Sequence, residues 1–594
     1  MNMSMPLAGA SKPGGSVSRA WLRALETTAR ATRDPHRILP RAVGEWAQAY
    51  GDHLALISDR ESFTYRQLAS RVNVYARWAL AAGVGKGDAV ALMMRNRPDY
   101  FALWLGLTQV GAIAALISPD LQGPALAHAL KVSRSRRLIV DHDLVEIARA
   151  AAPDELWVHD GEHFFARSLR ADIAGVSSAP LTETERREVT LDDRALRIFT
   201  SGTTGLPKAA EVSHRRIVVW SHWFAGLAGL NAHDRHYNCL PMHHSVGGVV
   251  AVGAPLVYGG SVSIAEKFSV SRFWEDIERF GCTSFQYIGE LCRYLVAAPE
   301  RAAEKGHKIR LALGNGVAPD VWRALLDRFG PIRVLEFYAS TEGNVWLYNV
   351  EGRVGALGRV PPYLAARDPL ALVKFDPDAQ APLRGADGFC LRCDDDEPGE
   401  AIGRIGGDPS QRFEGYSEAC ETEKKILRDV FKPGDAFMRT GDLMRRDAQG
   451  FYSFVDRIGD TFRWKGENVS TAEVAKVCGR QSGVEEVLVF GVKVFGAEGR
   501  AGMAVLKAGV PLDLAAFALG MEALPRYARP LFLRLVGEIQ TTETHKPKRG
   551  VYLAEGFDPS RTADPLFVFD AGSGAYVALD AERYEAIEAG RVRV

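Results

Sequence analysis

A strand–helix–strand unit between residues 309 and 344 constrains the fold of this chain more than any other stretch. The run IRLALGNG is typical of a buried strand that ends in a glycine turn, PDVWRALLDRFG of an amphipathic helix, and IRVLEFYASTEGN of a second strand followed by a polar loop. GDAVALMMRN, PDYFALWLGLTQVG and AIAALIS alternate in the same way earlier in the chain. The pattern predicts an α/β fold built on doubly wound sheets.

Two loops of this unit are expected to open on one edge of the sheet. Ligands of open parallel sheets bind beyond the carboxyl ends of the strands. Gly314, Asn315 and Gly316 end the first strand, and the run from Tyr338 to Asn344 ends the second. The sequence therefore predicts that both loops line one crevice.

The length of the chain predicts at least two domains, because 594 residues are too many for a single core. We expect an N-terminal tail and amphipathic helix at residues 1–40, and a large domain at 41–455. A small, mobile α+β domain is expected at 456–594, where short strands and helices mix. The charged, glycine-containing connector DRIGDTFRWKGENVS joins the two domains, with a predicted hinge at about 456–460.

Charge and cysteine usage exclude several classes of protein. Lys+Arg and Asp+Glu both number 73, so a nucleic-acid partner is not indicated. The seven cysteines form neither a disulfide framework nor a metal cluster, which favours a reducing cytoplasm. No signal peptide is predicted, and the apolar run at 101–118 is interpreted as a buried helix leading into a buried strand rather than as a membrane span.

Residues 18–35 have a mixed apolar and basic composition. Trp21, Leu22 and Leu25 lie among four arginines, which fits peripheral contact with an anionic membrane surface. The same composition fits a solvated surface helix, and both interpretations stay open.

The most informative motif is the polar run FTSGTTGLPKAAEVSH at residues 199–214. It offers hydroxyls, backbone N–H groups without side-chain obstruction and one cation, Lys208, which are the groups that hold a polyphosphate. It is not a Walker A loop, because Gly-Leu-Pro-Lys-Ala stands where that motif has Gly-Lys followed by Ser or Thr.

SGTTGLPK resembles the phosphate-loop signature of the adenylate-forming superfamily of acyl-CoA synthetases, peptide-synthetase adenylation domains and luciferases. LPMHHSVGG at 240–248, FYASTEGN at 337–344 and RTGDL at 439–443 follow in that superfamily's order. GNGVAPDVW, EFYASTEGN, DRIGDTFRWKGENVS and LPRYARPLFLRL resemble its fatty-acid transport protein and very-long-chain acyl-CoA synthetase branch. The resemblance runs from about residue 45 to 560.

The resemblance implies a long-chain or very-long-chain fatty acid–CoA ligase that uses ATP, Mg²⁺ and coenzyme A. The acid would first form an acyl-adenylate with release of pyrophosphate, and CoA would then displace AMP. Two alternatives stay open: a protein whose main role is fatty-acid uptake at a membrane, and an adenylating enzyme that delivers acyl groups to a carrier protein. Acyl chain length, the use of sterol or aromatic acids, and homodimer formation also stay open.

Carried over onto this sequence, the superfamily motifs imply a phosphate site and a base site. Residues implied to hold the ATP phosphates are Thr200, Ser201, Gly202, Thr203, Thr204, Gly205 and Lys208. Thr341 would contact the α-phosphate and Glu342 would hold Mg²⁺. Tyr338 would stack on adenine, with Gly314, Asn315 and Gly316 beside the base.

Other positions are implied to serve the ribose, the acyl group and CoA. Asp442 and Arg457 would bind the ribose hydroxyls, His244 would flank the acyl carboxylate, and Gly466 would border the pantetheine channel.

The catalytic lysine is expected in the run TTETHKPK at residues 541–548. Alignment with the superfamily's Thr-x-Thr-Phe-Lys segment favours Lys546, which would bridge the α-phosphate and the carboxylate oxygen. His545 replaces the usual aromatic residue and Lys548 lies close by, so the choice between the two lysines stays open.

Overall fold

The structure, a computed structural model, describes residues 16–592 apart from 152, 202–206, 377–378, 459–460, 465–466, 496, 498, 510 and 542–546. The chain divides into two compact units. The first runs up to Gly358 and includes Phe413–Lys424, and the second comprises Arg359–Arg412 and Lys425–Val594. This division follows packing and not motion, so the predicted hinge near residue 456 stays a prediction.

Fifteen strands of the first unit form two large sheets. They are β1 Leu54–Ile57, β2 Ser62–Thr64, β3 Ala89–Met93, β4 Ile113–Ile117, β5 Ser135–Val140, β6 Glu155–Val158, β7 Arg167–Ser168, β8 Arg194–Ser201, β9 Pro207–Ser213, β10 Arg235–Asn238, β11 Ser261–Ile264, β12 Ser284–Ile288, β13 Leu311–Asn315, β14 Arg333–Ala339 and β15 Trp346–Asn349.

The two sheets are mostly parallel. One has seven strands in the order β7-β6-β5-β3-β4-β8-β9, and its last pair is antiparallel. The other has eight strands in the order β15-β14-β13-β12-β10-β11-β1-β2, with an antiparallel pair at each edge. Crossover helices between parallel strands confirm the predicted doubly wound architecture.

In the part of the chain that the structure describes, thirteen α-helices accompany these sheets. They are α1 Val17–Ala31, α2 Leu39–Tyr50, α3 Tyr65–Ala81, α4 Pro98–Gln109, α5 Gly123–Val132, α6 Val145–Ala150, α7 Leu169–Asp172, α8 His214–Ala228, α9 Ala251–Leu256, α10 Phe273–Phe280, α11 Gly289–Ala297, α12 Pro319–Phe329 and α13 Ala419–Glu423. A π-helical turn at Val246–Val250 leads into α9.

The apolar run at 101–118 lies in the core, as predicted. It forms most of α4 and all of β4, and β4 is buried along its whole length. Pro98 begins α4, where its missing N–H has no partner to lose. No helix among the described residues is long and apolar enough to cross a bilayer.

Helix α1 packs along α8 rather than lying free on the surface. Trp21 is 1% exposed and makes edge-on contacts with Trp223 and Tyr348 at centroid distances of 5.9 Å. Leu22 on the outer side is half exposed. The interpretation of Trp21 as a side chain that touches a membrane was therefore wrong, because its indole is used to attach α1 to the first unit.

The α1–α8 contact depends on a missing side chain at Gly226, since a Cβ there would lie 2.4 Å from Ala24 Cα. We expect Gly226→Ala to lower the free energy of unfolding by about 1–3 kcal/mol through overpacking. It should also make α1 more sensitive to trypsin. Gly44→Ala in α2 is the matched control, because a Cβ there meets no atom within 4 Å. Equal stability and equal cleavage of the two variants would contradict this account of the contact.

The second unit contains the remaining strands and helices. Its strands are β16 Leu370–Val373, β17 Phe375–Asp376, β18 Ala381–Pro382, β19 Gly399–Arg404, β20 Ile426–Arg428, β21 Ala436–Arg446, β22 Tyr452–Arg457, β23 Phe462–Trp464, β24 Glu467–Val469, β25 Val484–Val492, β26 Ala501–Ala508, β27 Phe532–Val536, β28 Leu566–Asp570 and β29 Ala575–Ala578. Its helices are α14 Thr471–Cys478, α15 Leu514–Gly520, α16 Arg549–Glu555 and α17 Ala581–Glu588.

Most of the second unit's core belongs to its C-terminal part. Strands β25 to β29 form one mixed sheet in sequence order, in which β26 and β27 are parallel. Phe490, Val505 and Phe532 are fully buried in its core. Mixed strands and short helices confirm the predicted α+β character of this region.

Candidate active site

Strands β8 and β9 form an antiparallel hairpin on either side of the polar glycine-rich run. Thr200 pairs with Lys208, and Ser201 with Pro207, so the strand ends flank the run on both sides. Four of the predicted phosphate-binding residues lie outside the described residues, namely Gly202, Thr203, Thr204 and Gly205, as does the side chain of Ser201. Lys208 forms an ion pair with Glu421, in which its Nζ lies 2.5 Å from Glu421 Oε2.

The loop after β14 carries the predicted α-phosphate and metal residues. A half-buried arginine at the start of α8 holds this loop: Arg216 Nη1 donates to Thr341 O at 3.0 Å, and Nη2 donates to Gly343 O. Burial lowers the pKa of the Arg216 guanidinium. Ser245 adds a hydroxyl contact of 2.9 Å to Thr341 Oγ1. Two segments distant in sequence thus fix the position of Thr341.

Glu342 is held from the other side by a tyrosine. Tyr416 Oη donates to Glu342 Oε1 at 2.8 Å. Burial, then the adjacent Glu342 carboxylate, raises the pKa of the Tyr416 phenol, while a hydrogen bond with Thr200 acts in the opposite direction. The phenol therefore stays a proton donor at neutral pH, and it joins Glu342 to the end of β8.

Neighbouring parallel strands bring the predicted base-binding residues to one sheet edge. Gly314 of β13 lies in register with Glu336 of β14 on one side and with Tyr287 of β12 on the other. A Cβ at Gly314 would lie 2.2 Å from Tyr287 O, so the close approach requires glycine there. The half-buried Tyr338 lies two residues beyond Glu336 on the same strand.

A buried carboxyl group ties the Gly314–Gly316 turn to β14. Glu336 is 3% exposed and accepts hydrogen bonds from Tyr287 Oη and Gly316 N. Gly316 has a φ of +81°, which suits glycine. The turn is thus fixed at the point where the adenine contacts are predicted.

The Glu336 contact makes stability depend on pH. Burial raises the pKa of Glu336 to about 8, although hydrogen bonds from Tyr287, Gly316 and Val317 act against the shift. Between its ordinary value of 4.5 and about 8 the folded chain binds more protons than the unfolded chain, so the free energy of unfolding falls as pH rises.

We expect Glu336→Gln to remove this dependence. Between pH 6.5 and 8 the unaltered protein should lose stability relative to the variant by about 1 kcal/mol per pH unit. Denaturant unfolding of both proteins at several pH values measures the difference. Parallel stability profiles would show that the carboxyl group of Glu336 does not titrate in this window.

His244 lies in a tight turn before the π-helical turn. Its carbonyl accepts from Gly248 N at 2.7 Å, and its ring lies 4.3 Å from that of the buried His243. The next residue is Ser245, which contacts Thr341, so the histidine belongs to a turn that joins the predicted α-phosphate loop.

The predicted ribose residues lie together in the second unit. Asp442 of β21 and Arg457 of β22 are cross-strand partners, and Arg457 Nε lies 3.5 Å from Asp442 Oδ1. Gly441 has a φ of +80° just before the carboxylate. Asp442 N donates to Thr440 Oγ1 at 3.0 Å, which fixes the bend.

Comparison with known proteins agrees with these observations. The family model of the AMP-binding enzymes matches residues 43–369. The chain belongs to the AMP-binding enzyme family. It is 39% identical over 586 residues to human long-chain fatty acid transport protein 1, with 94% of this chain and 89% of the relative covered. It is 38% identical to mouse long-chain fatty acid transport protein 6 over 552 residues, with coverage of 91% and 88%.

Solved structures of adenylate-forming enzymes share the fold. ATP-bound MatB from Rhodopseudomonas palustris superposes with a TM-score of 0.73 at 22% identity, covering 87% of this chain and 98% of that one. The anthranilate CoA ligase AuaEII in complex with anthranoyl-AMP gives 0.71 at 20% identity, with coverage of 86% and 95%.

In this member of the AMP-binding family, Lys208 and Glu342 of the first unit both contact the segment that carries Tyr416 and Glu421, and Ser245 contacts Thr341. Asp442 and Arg457 form a second group in the other unit. Lys546, Gly466 and the glycine of the predicted hinge, Gly459, lie outside the described residues. Their roles stay predictions.

Sequence reasoning missed four residues that support the site: Arg216, Ser245, Tyr416 and Glu421. Arg216 lies two residues past the end of the polar run at 199–214, and an arginine on a helix is ordinarily a solvated side chain. Tyr416 and Glu421 lie in GYSEACETE, which has no recognisable catalytic pattern. The only sequence feature that could have drawn attention to this segment is the pair Gly415–Tyr416, which stands in a polar stretch.

Proposed function

We propose that this chain is an AMP-forming fatty acid–CoA ligase. The observation that carries the proposal is that Lys208 and Glu342, the latter next to Thr341, are held by two neighbouring residues, Glu421 and Tyr416, within an AMP-binding enzyme. The fatty nature of the acid is supported by the identity of 37–41% to several long-chain fatty acid transport proteins.

Adenylate formation requires an anionic carboxylate to attack a polyanion. One carboxylate oxygen forms a bond to the α-phosphorus, and the bond from that phosphorus to the bridging oxygen of pyrophosphate breaks. We assign the hairpin residues and Lys208 to the β- and γ-phosphates, and Thr341 to the α-phosphate. Preorganised donors and a cation offset the charge that builds on the phosphates.

The residues present fit a magnesium ion. The described residues contain no group of three or more His, Cys, Asp or Glu side chains that would cage a metal. Mg²⁺ bound with ATP takes most of its ligands from phosphates and water and needs one or two carboxylates. Tyr416 occupies Oε1 of Glu342 with one hydrogen bond, so the carboxylate retains oxygen lone pairs for a cation. Mg²⁺ would neutralise phosphate charge.

Thioester formation is the second half of the reaction. The CoA thiol loses its proton and its sulfur bonds to the acyl carbon, while the bond from that carbon to the adenylate oxygen breaks and AMP leaves. We assign His244 to the acyl carboxylate and Gly466 to the pantetheine channel. Movement of the small domain about residues 456–460 would exchange Lys546 for the thiol.

The acyl acceptor is tested by adding either free CoA or an acyl carrier protein to enzyme loaded with ATP and a fatty acid. We expect AMP release and acyl-CoA with free CoA, and none with the carrier. AMP release with the carrier protein and none with free CoA would show that the carrier, and not CoA, is the acyl acceptor.

A role in fatty-acid uptake is favoured by the names of the curated relatives. Conversion of an incoming acid to its CoA ester would itself retain the acid, so uptake and ligation are compatible. Uptake that persists unchanged in a variant without ligase activity would make catalysis secondary. We further propose a cytoplasmic protein, because free cysteines such as the buried Cys239, Cys282 and Cys292 suit a reducing compartment.

A further inference from the structure

The segment Phe413–Lys424, called here the return segment, belongs to the first unit although the residues on both sides of it belong to the second. It pairs with β9 through one antiparallel β-bridge between Ala210 and Tyr416: Glu211 N donates to Gly415 O at 3.0 Å, and Ser417 N donates to Ala209 O at 2.9 Å. These bonds attach it directly to the hairpin that flanks the polar run.

A carboxylate anchors the start of the return segment. Glu414 accepts from Ser213 N at 2.7 Å and from Ser213 Oγ at 2.5 Å, and it pairs with Arg194 at 3.2 Å. Ser213 is the N-cap of α8, the helix that carries Arg216. The segment is therefore fixed to both strands of the hairpin and to the helix that holds the Thr341 loop.

Two side chains of the return segment then reach residues that we assign to ATP and Mg²⁺. Tyr416 is 9% exposed and donates to Glu342 Oε1 at 2.8 Å, which restricts the rotation of that carboxylate. Glu421 pairs with Lys208 at 2.5 Å, and the ammonium lies 6.0 Å from the centroid of the Tyr416 ring. Glu421 also pairs with Lys424, so its negative charge is shared between two lysines.

We propose that the return segment is the positioning element of the phosphate site, in which Tyr416 orients Glu342 for the metal and Glu421 orients Lys208 for the phosphates. Neither residue needs to touch the substrate. A carboxylate and an ammonium that are held in place lose less conformational freedom when ATP and the metal bind. The inference rests on the proposed function, because it concerns ATP and metal binding at the same site.

Tyr416→Phe tests the first half. Electron paramagnetic resonance of Mn²⁺ measures metal binding in the presence of the non-hydrolysable analogue α,β-methylene ATP. We expect the variant to bind Mn²⁺ about five- to tenfold more weakly, and its adenylation rate to return to within threefold of the unaltered rate at high Mg²⁺.

Tyr65→Phe is the matched control. Tyr65 is fully buried, and its hydroxyl donates to Leu256 O and Gly260 O away from the site. The Tyr65→Phe substitution also removes a buried tyrosine hydroxyl, and it should leave the Mn²⁺ affinity unchanged. Equal Mn²⁺ affinity of Tyr416→Phe and the unaltered protein, or an equal loss in both variants, would overturn the role of Tyr416.

Glu421→Gln tests the second half by calorimetric titration with ATP. We expect about fivefold weaker binding, and less than a twofold further change when Glu421→Gln is added to Lys208→Met, because the glutamate acts through the lysine. Glu304→Gln removes a comparable pair with Arg328 at 2.7 Å and should leave ATP binding unchanged. Tighter binding by Glu421→Gln would show that the glutamate competes with ATP, and an equal loss in both backgrounds would exclude action through Lys208.

Failure of the inference and failure of the proposed function have different signatures. If the unaltered protein binds ATP and forms adenylate, and Tyr416→Phe and Glu421→Gln bind metal and ATP equally well, only the positioning roles are overturned. An unaltered protein that neither binds ATP nor forms adenylate overturns the proposed function, and the inference with it.

Discussion

Replacing Lys546 by alanine is expected to lower the rate of acyl-adenylate formation by about 10²- to 10³-fold, the effect of losing one preorganised donor to the developing charge. The resemblance to the adenylate-forming superfamily implies that this lysine bridges the α-phosphate and the attacking carboxylate. Conversion of added acyl-AMP and CoA to acyl-CoA should change less than threefold, since no polyphosphate is present in that step. Single-turnover measurement of each half-reaction separates the two.

Lys548→Ala is the control for this prediction. Lys548 N donates to Gln540 O at 2.7 Å, and the residue precedes α16. We expect the Lys548 variant to form adenylate at close to the unaltered rate. A large loss in Lys548→Ala with little change in Lys546→Ala would move the catalytic role two residues along the chain, whereas losses of both half-reactions in Lys546→Ala would indicate misfolding.

Replacing Arg216 by alanine is expected to reduce adenylate formation by about 10²-fold. The guanidinium holds two carbonyls on either side of Glu342, Thr341 O and Gly343 O, so its removal takes this donor from both carbonyls and lets the loop move. A displacement of about 1 Å in a positioned catalytic group can cost about 10²-fold in rate. The free energy of unfolding should also fall, by about 2–4 kcal/mol.

The neighbouring Arg215 supplies the control for this second prediction. Arg215 Nε pairs with Asp192 at 2.8 Å near the surface, away from the Thr341 loop. Arg215→Ala should change adenylation less than twofold and stability by less than about 1 kcal/mol. Adenylation by Arg216→Ala within threefold of the unaltered rate, measured where circular dichroism shows a folded protein, would contradict the positioning of the loop by Arg216.

Regular local patterns made much of the first unit predictable. The βαβ unit at residues 309–344 has two short apolar runs typical of buried strands and an amphipathic helical pattern between them, and β13, α12 and β14 lie where these patterns indicate. The position of Gly314 and Tyr338 at one sheet edge then follows from the topology of parallel strands.

Long-range contacts account for what the sequence did not predict. Tyr416 reaches Glu342 across 74 positions and Arg216 reaches Thr341 across 125, and neither pair shares a local motif. The same limit applies to α1: its amphipathic pattern was recognisable, but its partner is a helix some 200 residues away, with Arg23 Nε donating to Gly226 O. An amphipathic sequence pattern identifies the apolar face of a helix, but it does not identify the element that packs against that face.

The return segment illustrates a related limit. The boundary predicted at 456 follows the change along the sequence from α/β repeats to short mixed strands and helices. The compact units are divided differently along the chain, since Phe413–Lys424 belongs to the first and the residues on both sides of it to the second. Such an exchange is a property of tertiary packing, because β9 offers an edge for pairing that the local sequence of the segment does not reveal.

CoA-dependent production of AMP by the purified protein, over a series of acids from acetate to very-long-chain fatty acids with cholate and coumarate included, tests the central claim most directly. We expect equal amounts of AMP and acyl-CoA with long-chain or very-long-chain acids, and little turnover with acetate. The absence of AMP and acyl-CoA with every acid of the series, by a protein shown to be folded, would contradict the assignment as a fatty acid–CoA ligase.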